Sequence, residues 1–98
     1  MSQQTSELTL EPLENERLAN LCGQFDEHLR LIERRLGVEI GNRGNVFTLA
    51  GSRAARDAAG GILRQLYAES AERALAPADV HMQLQAVLAG LQQAEDAD

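Results

Sequence analysis

Apolar residues change their period along this chain, and each change marks an element. Glu7-Leu8-Thr9-Leu10-Glu11 alternates with period two, which predicts a short strand over 7–11, stopped by Pro12 because proline lacks the ladder amide. Leu18, Leu21, Cys22 and Phe25 then recur at i, i+3, i+4 and i+7, one face of a helix predicted over 14–22 and broken at Gly23. Asp26 is the expected N-cap of a second helix, with Leu29, Ile32 and Leu36 as its buried stripe and Gly37 as its left-handed C′ residue. Residues 38–40 and 46–49 read as the strands of a hairpin joined by Gly41-Asn42-Arg43-Gly44-Asn45. Ser52 is placed to cap a long helix through residue 70, with Ala55, Ala59, Ile62 and Leu66 facing inward. Gly60-Gly61 in its middle disfavours the helix, which predicts a close approach of backbone to the sheet. Pro77 opens a last helix with Val80, Leu84, Val87, Leu88 and Leu91 on one face.

The order is β-α-α-β-β-α plus one helix. It predicts an α+β domain: a three-stranded sheet covered on one face by three helices, with the extra C-terminal helix as a linker or docking element. Ninety-eight residues suffice for one such domain. Its expected limits are a disordered N terminus at 1–6, the folded body at 7–70, a linker at 71–76, the last helix at 77–93 and a disordered tail at 94–98.

Composition narrows the function. The net charge of −6 is unevenly spread: residues 1–29, 30–64 and 65–98 sum to −5, +4 and −5. The middle third therefore carries seven of the nine arginines and offers a phosphate-binding face, or a set of solvated helix surfaces, in a chain otherwise too acidic for one. With no lysine there is neither a Walker A loop nor a Schiff-base residue. Three aromatics, Phe25, Phe47 and Tyr67, leave little for a base-stacking platform. A single cysteine, no apolar leader and no membrane-length apolar run point to a cytoplasmic protein with no membrane association.

Catalytic constellations are missing from the pattern. His28 and His81 stand apart from carboxylates and cysteine at ligand spacing and read as surface histidines, so no metal site is expected. Cys22 falls on an apolar stripe, which predicts an inert buried thiol. The chain itself is expected not to be an enzyme.

Gly23-Gln24-Phe25-Asp26 joins the first two helices. In a KH module, whose element order is the one above, this place holds a G-x-x-G loop that lets backbone touch nucleic-acid phosphates beside a helix N terminus. Here the first glycine is present and an acid replaces the second. Gly41-Asn42-Arg43-Gly44 matches the same string but lies between strands and reads as a hairpin turn with Arg43 at its tip. The candidate RNA-binding residues are Gly23, Gln24, Arg30, Arg34, Arg35, Arg43 and Arg53.

Leu8-Thr9-Leu10-Glu11-Pro12, Asn15, Arg17-Leu18, Leu21-Cys22-Gly23-x-Phe25-Asp26 and Ile32-Glu33-x-Arg35-Leu36-Gly37-Val38-Glu39-Ile40 together resemble the N-terminal segment of bacterial PhoH-like (phosphate starvation-inducible) proteins. The likeness continues more weakly through Asn45-x-Phe47-x-Leu49-x-Gly51 and Ile62-Leu63-x-x-Leu66-Tyr67. It implies a KH-like domain with a similarly weakened second glycine, followed in the parent protein by a P-loop ATPase domain that would hold ATP and Mg. The function it implies is RNA metabolism, with the parent's own ATPase domain, RNA or a ribosome-associated ribonucleoprotein, and an endoribonuclease as partners. Two readings stay open. One is an accessory domain that helps the parent ATPase engage RNA, and the other is a protein-interaction or oligomerisation module that keeps a KH-like shape without nucleic-acid binding.

Overall fold

The computed structural model describes residues 4–96. The elements are β1 (Thr5–Thr9), α1 (Asn15–Cys22), a 3-10 turn (Gln24–Asp26), α2 (Glu27–Leu36), β2 (Glu39–Arg43), β3 (Val46–Ala50), α3 (Arg53–Ser70) and α4 (Pro77–Asp96). This is the expected α+β, KH-like order with its additional C-terminal helix.

The sheet is antiparallel, in the order β1-β3-β2. Leu8 lies opposite Phe47, and Phe47 opposite Asn42, so side chains two apart from these share one face. On that face Leu8, Phe47 and Leu49 are buried, while Glu7, Thr48, Gly41 and Arg43 on the other are exposed. The three helices therefore cover a single face. Leu21, Ile32, Ile62, Leu63 and Leu66 close the core from the helical side with essentially no exposed surface. Each such side chain contributes about 2 kcal/mol of apolar burial, and this aliphatic layer holds the domain together.

Local signals explain the boundaries. The Ser52 hydroxyl accepts from the Ala55 amide at 3.1 Å and starts α3. Gly37 ends α2 at φ 69, with its amide on the Glu33 carbonyl. Gly44 takes φ 59 at the first position of a two-residue hairpin loop, where a side chain would be strained.

Several expectations are corrected. The hairpin loop is shorter than the five residues read from sequence, because Gly41, Asn42 and Arg43 pair in β2. Arg43 is thus a strand residue on the exposed face and not a loop tip. β1 begins at Thr5, so Thr5 and Ser6 are paired, where disorder was expected through residue 6. Asp26 has a left-handed backbone (φ 57) and its side chain caps nothing. Gly60 and Gly61 are not required by the sheet: a Cβ on Gly60 would meet only Leu49 Cδ1 at 3.8 Å, an ordinary contact, and one on Gly61 would meet nothing within 4 Å.

α4 packs on α2 and α3, with Val80 and Leu84 fully buried and Val87 partly so. It extends to Asp96, beyond the expected end at 93. The Leu91 side chain, residues 1–3 and residues 97–98 lie outside the described residues.

Candidate functional site

The Gly23 junction is a bend with three positive-φ residues: Gly23 at φ 78, with an extended ψ of 176, and the left-handed Phe25 at φ 55 and Asp26 at φ 57. Glycine is needed at position 23 twice over. Its φ disfavours a side chain, and a Cβ there would lie 2.9 Å from the His28 ring. His28, expected at the surface, is only 2% exposed. The bend folds α2 back so that His28 Nδ1 donates to the Leu21 carbonyl at 2.9 Å, which fixes the turn from inside. Its Nε2 has no hydrogen-bond partner among the described residues, and the nearest carboxylate oxygen, on Glu27, is 4.0 Å away.

The same bend reverses the fate of Phe25. Read as part of the buried stripe of α1, it is 91% exposed, because the helix ends at Cys22 and the 3.6-residue period does not carry across. Asp26 and Glu27 meanwhile place two carboxylates at the amide end of α2, where a phosphate would otherwise be drawn. Burial, with the Asp26 carboxylate adding to it, pushes the Cys22 thiol up to about 11, so the buried thiol is protonated at neutral pH.

Glu33 was not singled out in the sequence, yet it occupies the gap between α2 and the free edge of β2. Its carboxylate accepts the Ile40 amide at 2.8 Å and pairs with Arg30 at 3.2 Å. Nothing in its spacing signals this, since the contact depends on how β2 returns past α2. Arg30 is thereby engaged by a carboxylate.

Arg34 and Arg35 are exposed in the last turn of α2, and neither has a carboxylate within 4.0 Å among the described residues. Cations there complement the carbonyl end of the helix dipole. The Gly37 carbonyl lies 3.3 Å from the Cβ position of Gly51, so the end of α2 abuts the start of α3. Arg53, the first residue of α3, is therefore at the same end of the molecule, exposed and loosely paired with Asp57 at 3.9 Å. The structure thus puts Arg34, Arg35 and Arg53 at one end of the molecule, which the exposed Glu39, opposite Ala50, also shares. It does not gather Gly23 and Gln24 with them: these lie at the opposite end of α2, roughly 15 Å away by the helical rise. Arg43 is on the open sheet face at the hairpin.

Arg17 and Arg56 serve the fold. Arg17 donates to the Tyr67 carbonyl at 2.7 Å and stacks 4.2 Å from the Tyr67 ring centroid, joining α1 to α3. Arg56 donates to the Gly51 carbonyl, the Ser6 hydroxyl and the Gln4 side chain, joining α3 to β1.

Among the described residues no group of three or more His, Cys, Asp or Glu side chains is arranged to hold a metal ion, and no helix is long and apolar enough to cross a membrane. No known family model matches the chain, and no solved structure matches it.

Proposed function

We propose that this chain is a non-catalytic accessory domain of a cytoplasmic PhoH-like P-loop ATPase, and that it helps its parent engage RNA or a ribonucleoprotein. ATP and Mg would belong to the parent's ATPase domain, since no residue of this lysine-free chain forms a Walker A loop. The observation that carries the reading is the arginine end of the molecule. Arg34 and Arg35, without carboxylate partners among the described residues, lie at the same end of the domain as Arg53 in a chain whose net charge is −6. Concentrating cations at one end of an acidic domain suits a local phosphate contact and disfavours general adsorption to nucleic acid.

In this reading the contact differs from KH clamping. Asp26 and Glu27 guard the helix N terminus and Glu33 fills the β2 edge, so phosphates are held by arginines at the other end of α2. Titration of labelled single-stranded RNA at low salt tests it. Binding tighter than about 1 mM with a salt slope of about two to three phosphates is expected, abolished by Arg34→Glu with Arg35→Glu. Binding without a salt slope, or untouched by that double substitution, contradicts it.

Phe25 favours a second reading, a protein-interaction module. An aromatic ring left 91% exposed on a strained turn, followed by Asp26 and Glu27, suits an apolar pocket with a basic rim on the parent ATPase domain or an endoribonuclease partner. Phe25→Ala would weaken such an interaction while leaving RNA affinity unchanged.

A further inference from the structure

We propose that the free edge of β1 and the Gly60-Gly61 face of α3 form a two-fold interface with a second copy of this chain, giving a continuous six-stranded sheet. The inference rests on neither reading of the function.

β1 is an edge strand. Its even-numbered residues pair with β3, as the Leu10 amide on the Asn45 carbonyl shows, so the amides of Thr5, Glu7 and Thr9 point away from the sheet. Along this edge runs a groove of about 320 Å³, lined among the described residues by β1, by Leu49 and by Arg56, Asp57, Gly60, Gly61 and Arg64 of α3. An unpaired edge beside an open groove is a template for another strand.

Gly60 and Gly61 form the helical wall of the groove. Adjacent glycines are costly in mid-helix, and neither is needed by the fold, since an added Cβ would meet one ordinary contact or none. They become useful if a second α3 approaches there, because glycine lets two helix backbones come close.

Charge identifies the occupant. In a two-fold, antiparallel pairing of α3 centred between Gly60 and Gly61, Asp57, three residues before Gly60, faces Arg64 of the other copy, three residues after Gly61. Both side chains are exposed on the groove. Arg64 has no carboxylate within 4.0 Å among the described residues, and Asp57 has only the loose pair with Arg53. The symmetry makes this complementary contact twice.

The strands accommodate the same axis. A two-fold antiparallel pair sets one residue opposite itself, and centring on Ser6 or Leu8 places Glu7 opposite a threonine, which avoids like charges face to face.

Sedimentation equilibrium of the chain from micromolar to about 1 mM is the experiment. Wild type is expected to approach twice the monomer mass as concentration rises. Asp57→Arg and Arg64→Asp each create two like-charge contacts in a homodimer, and each is expected to weaken association by about tenfold or more. An equimolar mixture of the two variants restores both opposite-charge contacts and is expected to recover dimer. Circular dichroism confirms that these surface changes leave each variant folded. A wild type monomeric throughout, single variants that associate like wild type, or a mixture that fails to recover would each overturn the proposal.

Discussion

The Glu33 carboxylate accepts the amide of Ile40 at 2.8 Å, tying the middle of α2 to the outer edge of β2. A buried or half-buried amide at a sheet edge needs a partner, and a charged acceptor is a strong one. Glu33→Ala is expected to cost about 1–2 kcal/mol in urea denaturation, while Glu33→Gln, which keeps an acceptor oxygen, costs less than half as much. Equal losses for the two would show that the Arg30 pair, and not the strand amide, is what matters.

Two glycine substitutions should act with opposite signs. Gly23→Ala puts a Cβ at a positive φ and 2.9 Å from the His28 ring, and about 2 kcal/mol or more should be lost as the turn shifts. Gly61→Ala meets open space in a helical backbone and should raise stability by about 0.5–1 kcal/mol, measured in dilute solution where the chain is monomeric. Destabilisation by Gly61→Ala under those conditions would mean that the middle of α3 is packed more tightly than described.

The link between α3 and α4 should show a small acid sensitivity. The Asp79 carboxyl is held below its ordinary value, first by the Ala76 amide at 2.8 Å and then by the Arg73 guanidinium at 2.8 Å. A carboxyl depressed in the folded state contributes stability at pH above the ordinary carboxylate range, and this is lost as pH falls through the lower folded value. Asp79→Asn should therefore destabilise the domain at neutral pH and flatten the part of its acid dependence below about pH 4. An acid limb identical to wild type would remove Asp79 from the account.

Cys22 gives a probe of the core. With its thiol pushed up to about 11 and its side chain buried, it should react with a thiol reagent at pH 8 only through unfolding, at rates rising with urea. Rapid labelling of the native protein would place α1 outside the core.

Much of the fold was legible because its signals are local. Ser52, Gly37 and the alternation of Phe47 with Leu49 each act within a few residues, and each sits as its spacing predicts. What failed depends on tertiary geometry. Phe25 kept the period of α1 on paper, but the chain bends at Gly23, leaving the ring in solvent and turning His28 inward. Gly60-Gly61 announced a close approach but faces a groove on the β1 side. Of the candidate site, the charge block located the arginines, while the close approach of Gly37 to Gly51 that puts Arg53 at the same end as Arg34 and Arg35 has no sequence signature. The role of Glu33 was equally hidden, since its partner amide comes into reach only after the chain reverses at Gly37.

Backbone amide shifts recorded by NMR during titration with single-stranded RNA test the proposed function most directly. The account predicts salt-sensitive shifts around Arg34, Arg35 and Arg53, with the Gly23–Glu27 turn unmoved. Shifts centred on that turn, or none at RNA concentrations near 1 mM, would contradict it.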